Sequence, residues 1–207
     1  LGMVKNSIAN SEGNAMSWDV SPFIKNLAVL QHSYVPEQLL YRDEQLNDLI
    51  SSFKYVVNGS PPSHLHLDGS KGTGKTLTLN HVLKLLRAKL KNKKRSPLVT
   101  YTMSQKYSYS TLLAIISSLG LDVRKIREIS MGLMWRNFEA ATKGKLLVVC
   151  LDEIDKLADD PHQDLMYFLT RRPKTCVVTV SNIPGAIEKI AQNPKLDFRY
   201  HTISFPK

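Results

Sequence analysis

A glycine-rich segment of eight residues constrains this 207-residue chain more than any other feature of its sequence. The segment reads Gly69-Ser70-Lys71-Gly72-Thr73-Gly74-Lys75-Thr76 and fits the pattern G-x-x-x-x-G-K-S/T. Gly72 and Gly74 permit backbone angles that turn successive N–H groups toward one anion. Lys75 would supply a positive charge between the β- and γ-phosphates of ATP, and Thr76 a hydroxyl for Mg²⁺. A strand pattern at 64–68 and an amphipathic helix pattern at 76–90 flank the segment, which weighs against a chance glycine-rich turn.

Two acidic residues follow a second apolar run. Residues 146–151 are all apolar, as expected of a central parallel strand, and Asp152 and Glu153 come directly after them. The carboxyl ends of parallel strands are where open α/β sheets bind ligands. We therefore expect Asp152 to hold Mg²⁺, directly or through water, and Glu153 to orient and deprotonate the attacking water. Asp155 is either a third acid of this site or a helix N-cap, and the cap is the favoured interpretation.

A third apolar strand pattern, at 177–180, ends in Ser181 and Asn182. If this strand lies between the other two, Asn182 would be able to hydrogen-bond the γ-phosphate or the attacking water. The alternative is that Asn182 is only a turn residue at the end of a strand.

Strand and helix patterns alternate along the chain, which indicates a parallel sheet covered by helices on both faces. The predicted strands are 64–68, 98–103, 145–151, 175–180 and 201–205, the last at a sheet edge. The predicted helices are 37–53, 76–90, 109–119, 123–142, 161–171 and 183–192. The predicted fold is α/β, an αβα sandwich of the P-loop NTPase type with about five parallel strands, among which the three motif-bearing strands are neighbours.

Net charge, cysteine content and hydropathy limit the kinds of partner and the redox environment expected for the chain. A formal net charge of +10 favours a polyanionic partner, with nucleic acid first. Cys150 and Cys176 lie in apolar strand patterns and are expected to be buried, reduced thiols. No apolar run approaches the ~18 residues of a membrane span, so no membrane partner is expected. Residues 1–22 are polar and predict a flexible N-terminal extension to a core at 23–207.

Together the motifs resemble those of the AAA+ ATPases. GSKGTGKT corresponds to the Walker A motif, LLVVCLDEID to Walker B and VSN to the first sensor. The segment YVPEQLLYRD at 34–43 resembles the Y-V-P-x-x-L-P-H-R-E that opens the ATPase domain of origin-recognition/Cdc-type DNA replication initiators of archaea and eukaryotes. The closing ISFP at 203–206 is also similar to that group, so the resemblance spans residues 23–206.

This resemblance implies where the base of the nucleotide would lie. Val35 and Pro36 would pack near the adenine, with Arg42 close by. Leu40 and Tyr41 depart from the family's Pro-His, which affects the fine adenine contact.

The resemblance further implies that Asn182 is the sensor and that residues 103–143 include an extra helix that touches DNA. An arginine finger acting on a neighbouring subunit's ATP would precede the last strand, at Lys195 or Arg199. Arg199 is the better transition-state partner, because a guanidinium can pair two phosphate oxygens. Alternatively, Arg199 is an ordinary surface arginine.

The implied function is that of an ATP-binding domain of a DNA replication initiator, with ATP or ADP and Mg²⁺ as ligands. ATP would act as an assembly switch in origin recognition and helicase loading, with slow hydrolysis. The implied partners are origin DNA, other AAA+ initiator subunits and a replicative helicase, in a homo- or hetero-oligomer, within an archaeal cytoplasm or a eukaryotic nucleus. The alternative is a non-hydrolysing, nucleotide-regulated module of a larger complex. A small-molecule kinase is disfavoured, because an Asp-Glu pair suits water activation.

In the family a helical lid and a winged-helix domain follow the last strand, whereas this sequence stops at Lys207. We expect a fragment rather than a natural short form. Without a lid we expect weak ATP hydrolysis and reduced nucleotide affinity.

Two basic stretches are candidates for contact with nucleic acid. Residues 84–95 carry seven cations at the far end of the phosphate-loop helix, where they either cap the helix in solvent or bind phosphates. Arg124, Lys125 and Arg127 form the second stretch, close to Met131, Met134 and Trp135. They either touch DNA, with affinity that falls as salt rises, or mark a segment whose methionines and tryptophan pack on the core.

Overall fold

The computed structural model describes residues 42–91, 93, 96–127, 130–160, 162–194, 196 and 198–207, all within one compact unit. The strands are β1 (His64–Asp68), β2 (Leu98–Met103), β3 (Leu147–Asp152), β4 (Thr175–Val180) and β5 (Tyr200–Ser204). The helices are α1 (Asp43–Val57), α2 (Lys75–Leu90), α3 (Ser108–Ser118), α4 (Val123–Ile126), α5 (Met131–Ala141), α6 (Asp164–Arg171) and α7 (Ala186–Ala191), and a 3₁₀ turn spans Ile154–Leu157. The predicted extension at 1–22 and the start of the first predicted helix, at 37–41, lie outside the described residues.

The five strands are parallel and lie in the order β2-β3-β4-β1-β5. The predicted αβα fold is therefore confirmed, and so is the prediction that β1, β3 and β4 are neighbours. Val178 of β4 pairs with Cys150 of β3 and with Leu65 of β1, so the three strands run level. Their carboxyl ends lie along one side of the sheet, which we call the carboxyl edge; the strands begin at the opposite side, the amino edge. As predicted, β5 is an outermost strand, and it lies next to β1.

The two faces of the sheet have separate apolar cores, because side chains alternate along a strand. Val148 and Cys150 of β3 pack with α1 and α2, whereas Leu147 and Val149 pack with the helices on the other face. All residues of β3 and β4 are buried, which explains why both sequences are predominantly apolar. The centre of the sheet is thus apolar, and polar groups lie mainly at the carboxyl and amino edges, where the strands end and begin.

Both cysteines are buried and unpaired, which confirms the prediction of reduced thiols. Burial raises the pKa of the Cys150 thiol well above its ordinary value and raises the pKa of Cys176 to about 12. Among the described residues, no helix is long and apolar enough to cross a membrane.

The single helix predicted over 123–142 is wrong. The segment forms α4 and α5, because a side-chain cap opens a helix at each of two places. The Asp122 carboxylate accepts from the N–H of Arg124 at 3.1 Å, and the Ser130 hydroxyl accepts from the N–H of Leu133 at 3.3 Å. Arg127 between them has extended backbone angles. The predicted helix at 183–192 is also shorter, because Gly185 takes a left-handed φ of 80° and the helix begins after it.

Candidate functional site

The glycine-rich loop leaves β1 at its carboxyl end and leads into α2. At Gly69 a side chain would collide with the fold, since a Cβ there would lie 2.5 Å from the backbone oxygen of Phe205. Gly74 precedes α2 with a left-handed φ of 90°, and its oxygen accepts the first helical hydrogen bond, from Thr78, at 2.8 Å. The unpaired N–H groups and the positive dipole end of α2 therefore lie at the loop, an arrangement suited to binding an anion.

The Lys75 side chain folds back into this loop and is 3% exposed. Its Nζ donates to the backbone oxygens of Gly69 at 2.7 Å and Ser70 at 2.8 Å. Burial lowers the pKa of Lys75, while Asp152 and Asp68 act in the opposite direction. The ammonium group thus has carbonyl partners that phosphate oxygens would be able to replace.

A buried carboxylate, Asp152, joins the loop to the sheet. Its Oδ2 accepts from the Thr76 hydroxyl at 2.7 Å and from the Tyr101 phenol at 2.6 Å, and its Oδ1 accepts from the backbone N–H of Glu153 at 2.8 Å. Burial, followed by the bond to Asp152, raises the pKa of Tyr101. No local pattern points to Tyr101, because only the pairing of β2 with β3 brings it to Asp152. Knowledge of the strand order would have revealed it.

The donor set at this point suits Mg²⁺. The ion prefers oxygen ligands, and it is usually held by one or two protein carboxylates together with phosphate oxygens and water. Thr76 and Asp152 already lie within hydrogen-bond distance of each other, beside Lys75. These residues therefore fit the ion that the sequence predicted, and their roles as ligands stay predictions.

Glu153 has an unusual backbone and an ion-pair partner. Its φ of 53° and ψ of 48° are left-handed, a conformation that is uncommon for a residue with a Cβ. Its Oε2 lies 2.5 Å from the Nζ of Lys156, with the two side chains 30% and 47% exposed. The hydrogen bond to Glu153 raises the pKa of Lys156. The carboxylate predicted to activate water thus forms an ion pair with Lys156, three residues further along the chain. The sequence analysis did not predict this pair.

The favoured interpretation of Asp155 as a helix cap is wrong. Glu153 occupies the cap position of the 3₁₀ turn, and Asp155 lies within the first turn. The Asp155 carboxylate instead accepts from the Ser181 hydroxyl at 3.2 Å, which ties the acid strand to the end of β4. Ser181 also accepts from the N–H of Ile183 at 3.0 Å and so organises the turn after β4. Half-buried Asn182 lies in this turn, at the carboxyl edge, and its role as sensor stays a prediction.

Arg42 lies against the phosphate loop, and its implied place beside the adenine stays a prediction. Its Nε donates to the backbone oxygen of Thr73 at 2.9 Å, and its Nη2 donates to that of Pro206 at 3.0 Å. The guanidinium therefore connects the loop to the segment after β5. Val35 and Pro36, the predicted adenine contacts, lie outside the described residues.

Arg199 lies at the amino edge of the sheet, where the strands begin. It immediately precedes β5, whose first residue, Tyr200, pairs with His64 at the start of β1. Arg199 is exposed and lines a hollow with Pro61 and His64. Since the phosphate loop is at the other end of β1, Arg199 does not belong to its own chain's site. Lys195, the other candidate finger, lies outside the described residues.

The two basic stretches differ in their packing. Met134 and Trp135 are buried in the core, as the packing interpretation predicted, whereas Arg124, Lys125 and Arg127 remain exposed. In the first stretch the described cations are exposed as well, and they lie toward the end of α2 away from the phosphate loop. Contact of either stretch with DNA stays a prediction.

Comparison with known proteins agrees with this architecture. The family model described as AAA domain matches residues 58–183. ORC1-type DNA replication protein 2 of Thermoplasma acidophilum is 30% identical over 193 residues, which cover 87% of this chain and 46% of that protein. The chain thus spans about half the length of the curated relatives it matches.

Solved structures show the same fold. The structure of the Aeropyrum pernix ORC1 protein in complex with DNA matches with a TM-score of 0.72 and 27% identity, over 86% of this chain and 48% of that one. The Aeropyrum pernix ORC2 protein, solved as ADPNP–ADP complexes, matches with a TM-score of 0.65 over 88% of this chain and 52% of that one. At 15% identity, the second likeness concerns the fold alone.

Proposed function

This chain belongs to the AAA domain family, and from that premise we propose that it is the MgATP-binding domain of a DNA replication initiator. The observation that carries the proposal is the 2.7 Å hydrogen bond between the Thr76 hydroxyl and the Asp152 carboxylate. It joins the end of the phosphate loop to the acid strand, 76 residues further along the chain, beside the buried ammonium of Lys75. A hydroxyl, a carboxylate and a lysine at a helix N-terminus are the groups that MgATP requires.

Each residue of the site has a proposed role. The backbone of Gly69–Thr76 surrounds the phosphates, and Lys75 exchanges its carbonyl partners for β- and γ-phosphate oxygens. Mg²⁺, when bound, would neutralise phosphate charge, and Thr76 and Asp152 are the residues that would hold it. Glu153 orients the attacking water and accepts its proton, and Asn182 hydrogen-bonds the γ-phosphate or that water.

Two further contacts concern the base and a second subunit. Arg42 lies against the loop and would help to place the adenine, with Val35 and Pro36 as the apolar contacts. Arg199 or Lys195 would act as the finger on the nucleotide of a neighbouring subunit, since Arg199 is at the edge away from its own chain's phosphate loop.

The proposed partners are DNA and other initiator subunits. The relatives named above are DNA replication proteins, and one of the matched structures contains DNA. ATP would act as an assembly switch with slow hydrolysis, and a replicative helicase would be the downstream partner.

A second candidate is a nucleotide-regulated module that hydrolyses little or no ATP. The ion pair between Glu153 and Lys156 favours it, because a carboxylate held by an ammonium is a poorer base for water. The two candidates share the binding site and differ only in turnover.

Nucleotide binding is tested first, with a fluorescent ATP analogue and Mg²⁺. We expect Lys75→Met to weaken binding roughly 10- to 100-fold, because it removes a charge-assisted contact to phosphate. Lys54→Met, which changes an exposed lysine of α1, is the control and should bind within about twofold of the unaltered chain. Equal affinity of the Lys75→Met variant and the control would contradict the proposed site.

Hydrolysis is tested by measuring the rate per chain against protein concentration, with DNA present. A steep rise that is lost in Glu153→Gln and in Arg199→Ala supports the initiator ATPase. Arg171→Ala, at an exposed arginine on α6, controls for the loss of one surface cation. A flat rate near zero, with binding intact, supports the non-hydrolysing module.

A further inference from the structure

The edge of the sheet where β2, β3 and β4 begin carries a concentration of lysines. A hollow of about 730 Å³ opens there, and four exposed lysines line it: Lys93, Lys143, Lys145 and Lys174. We refer to these four residues and the hollow as the lysine basin. The starts of the three strands are in register, with Leu98 level with Leu147 and Leu147 level with Thr175. The basin is thus built by three adjacent loops rather than by one flexible segment.

The charge of the basin is unbalanced. None of the described residues that line it is acidic, and within the described part of the chain no carboxylate forms an ion pair with Lys143, Lys145 or Lys174. A neighbouring hollow of about 240 Å³ shares these three lysines and includes Glu139 as its acid. Clustered like charges repel one another, so a polyanion that covers the basin relieves that repulsion.

A buried arginine fixes the loops that carry the lysines. Arg172 is 7% exposed, and its Nη2 donates to the backbone oxygens of Thr142 at 2.8 Å and Lys145 at 3.1 Å. Its Nη1 donates to the oxygen of Pro173 at 3.1 Å, in the loop before β4. One guanidinium therefore connects the loop of Lys143 and Lys145 to the loop of Lys174, and it adds a buried positive charge behind the basin. The lysine positions are preorganised, which lowers the entropic cost of binding.

We propose that the lysine basin is a second DNA-binding surface, one that holds the phosphate backbone of a duplex without reading its sequence. Lysine is depleted at the cores of protein–protein interfaces, whereas it commonly contacts phosphates. No described residue lining the basin is aromatic, so it lacks the stacking platform that single strands require. The basin lies at the amino edge of the sheet, opposite the phosphate loop at the carboxyl edge. The choice of DNA over RNA rests on the proposed function.

The geometry agrees with a duplex. Three neighbouring strands span about 10 Å, and that length of B-form helix carries about six phosphate charges. Three or four ammonium groups therefore meet enough phosphates to displace a similar number of counterions.

The test is fluorescence anisotropy with a labelled DNA duplex of about 20 base pairs and arbitrary sequence, titrated between about 50 and 200 mM salt. The basin variant is Lys143→Gln/Lys145→Gln/Lys174→Gln, in which all three side chains are exposed, so folding should be preserved. We expect at least about tenfold weaker binding and a slope of log K against log salt that is smaller by about 2 to 3. The control is Lys54→Gln/Lys106→Gln/Lys207→Gln, which removes the same charge from other surfaces and should bind within about twofold of the unaltered chain.

Equal losses in the two triple variants would overturn the proposal, because they would reflect net charge alone. Loss of binding only in Arg124→Gln/Lys125→Gln/Arg127→Gln would also overturn it, while leaving the proposed DNA partner intact. Tighter binding of duplex RNA than of duplex DNA would reassign the same phosphate contacts and overturn the choice of ligand. A saturating ATP analogue should leave the affinity of the basin for DNA within about twofold, since the two sites lie at opposite edges.

Discussion

The carboxyl and amino edges of the sheet differ in how far their charged side chains are paired within the chain. At the carboxyl edge, three charged groups have partners within the chain: Lys75 has loop carbonyls, Asp152 has two hydroxyls, and Glu153 has Lys156. At the amino edge, lysines cluster with little opposing charge, and the buried guanidinium of Arg172 has only neutral acceptors among the described residues.

This difference indicates two kinds of binding. A ligand at the carboxyl edge must displace existing hydrogen bonds, so it gains affinity only if it offers better-placed oxygens, and such a site is selective. A polyanion at the amino edge displaces only water and counterions, so binding there depends on salt and tolerates many sequences. The proposed nucleotide site, which would be selective, and the proposed cationic surface, which would not, thus lie at opposite edges of one sheet.

Replacement of Arg172 should have the largest effect on the amino edge. We expect Arg172→Met to lower the free energy of unfolding by about 2–4 kcal/mol, because the carbonyls of Thr142, Lys145 and Pro173 lose their donor. Urea denaturation measures this change, with Arg171→Met as the control. Arg171 is exposed and lies 4.6 Å above the Tyr167 ring, so its replacement should cost less than about 1 kcal/mol.

The same variant tests whether the amino and carboxyl edges bind their ligands independently. Below its denaturation midpoint, Arg172→Met should bind DNA more weakly and MgATP unchanged, since the arginine positions only the loops of the amino edge. Equal stability of the Arg172→Met and Arg171→Met variants would show that the buried guanidinium is not what fixes these loops.

The fold was largely predictable from sequence, and the reason is visible in β3 and β4. Both strands are buried on both faces, so their sequences are predominantly apolar and predict central positions in the sheet. The helix predicted over 123–142 failed because apolar spacing does not detect two competing caps, Asp122 and Ser130.

The site was predictable where chain-local motifs define it. A glycine-rich loop and an acidic strand end are recognisable within short stretches of sequence, so they predict Gly69, Lys75, Thr76 and Asp152. The structure brings Thr76 and Asp152 together. The sequence analysis did not predict the roles of three other residues. Tyr101 reaches the site through the strand order, Lys156 through its side-chain conformation, and Arg172 connects two loops that meet only in the fold. Such contacts are tertiary, and a single sequence carries no local signal for them.

Lys156 gives an intermediate effect at the carboxyl edge. We expect Lys156→Met to raise the single-turnover rate of ATP hydrolysis about two- to fivefold with KM unchanged, because Glu153 is released to contact water. Lys156→Arg should keep the unaltered rate, since it keeps the ion pair. The control is Lys189→Met, which removes a comparable surface ion pair, with Asp159 at 2.6 Å, that does not include Glu153. A slower rate in Lys156→Met would mean that the lysine positions Glu153 productively rather than restraining it.

The smallest effect concerns the interior between the two edges. His66 of β1 is 3% exposed, and its Nδ1 lies 2.9 Å from the Thr179 hydroxyl. Burial lowers its pKa below 6.5, despite the opposing influence of Asp68 and Glu188, and Lys75 lowers it slightly further. Unlike Arg172, which donates to several backbone carbonyls, this side chain has one backbone hydrogen bond, to Thr179, and burial disfavours its protonated form.

Because the unfolded chain binds the His66 proton more readily than the folded chain, stability should fall as the pH drops through 6.5. The loss attributable to His66 is at most about 0.7 kcal/mol between pH 7 and pH 6. It is measured as the difference in unfolding free energy between the unaltered chain and His66→Asn, which retains a polar group near Thr179 but does not titrate. A difference that is constant with pH would show that the interior accepts a protonated imidazole, and the contrast with Arg172 would then rest on hydrogen bonding rather than on charge.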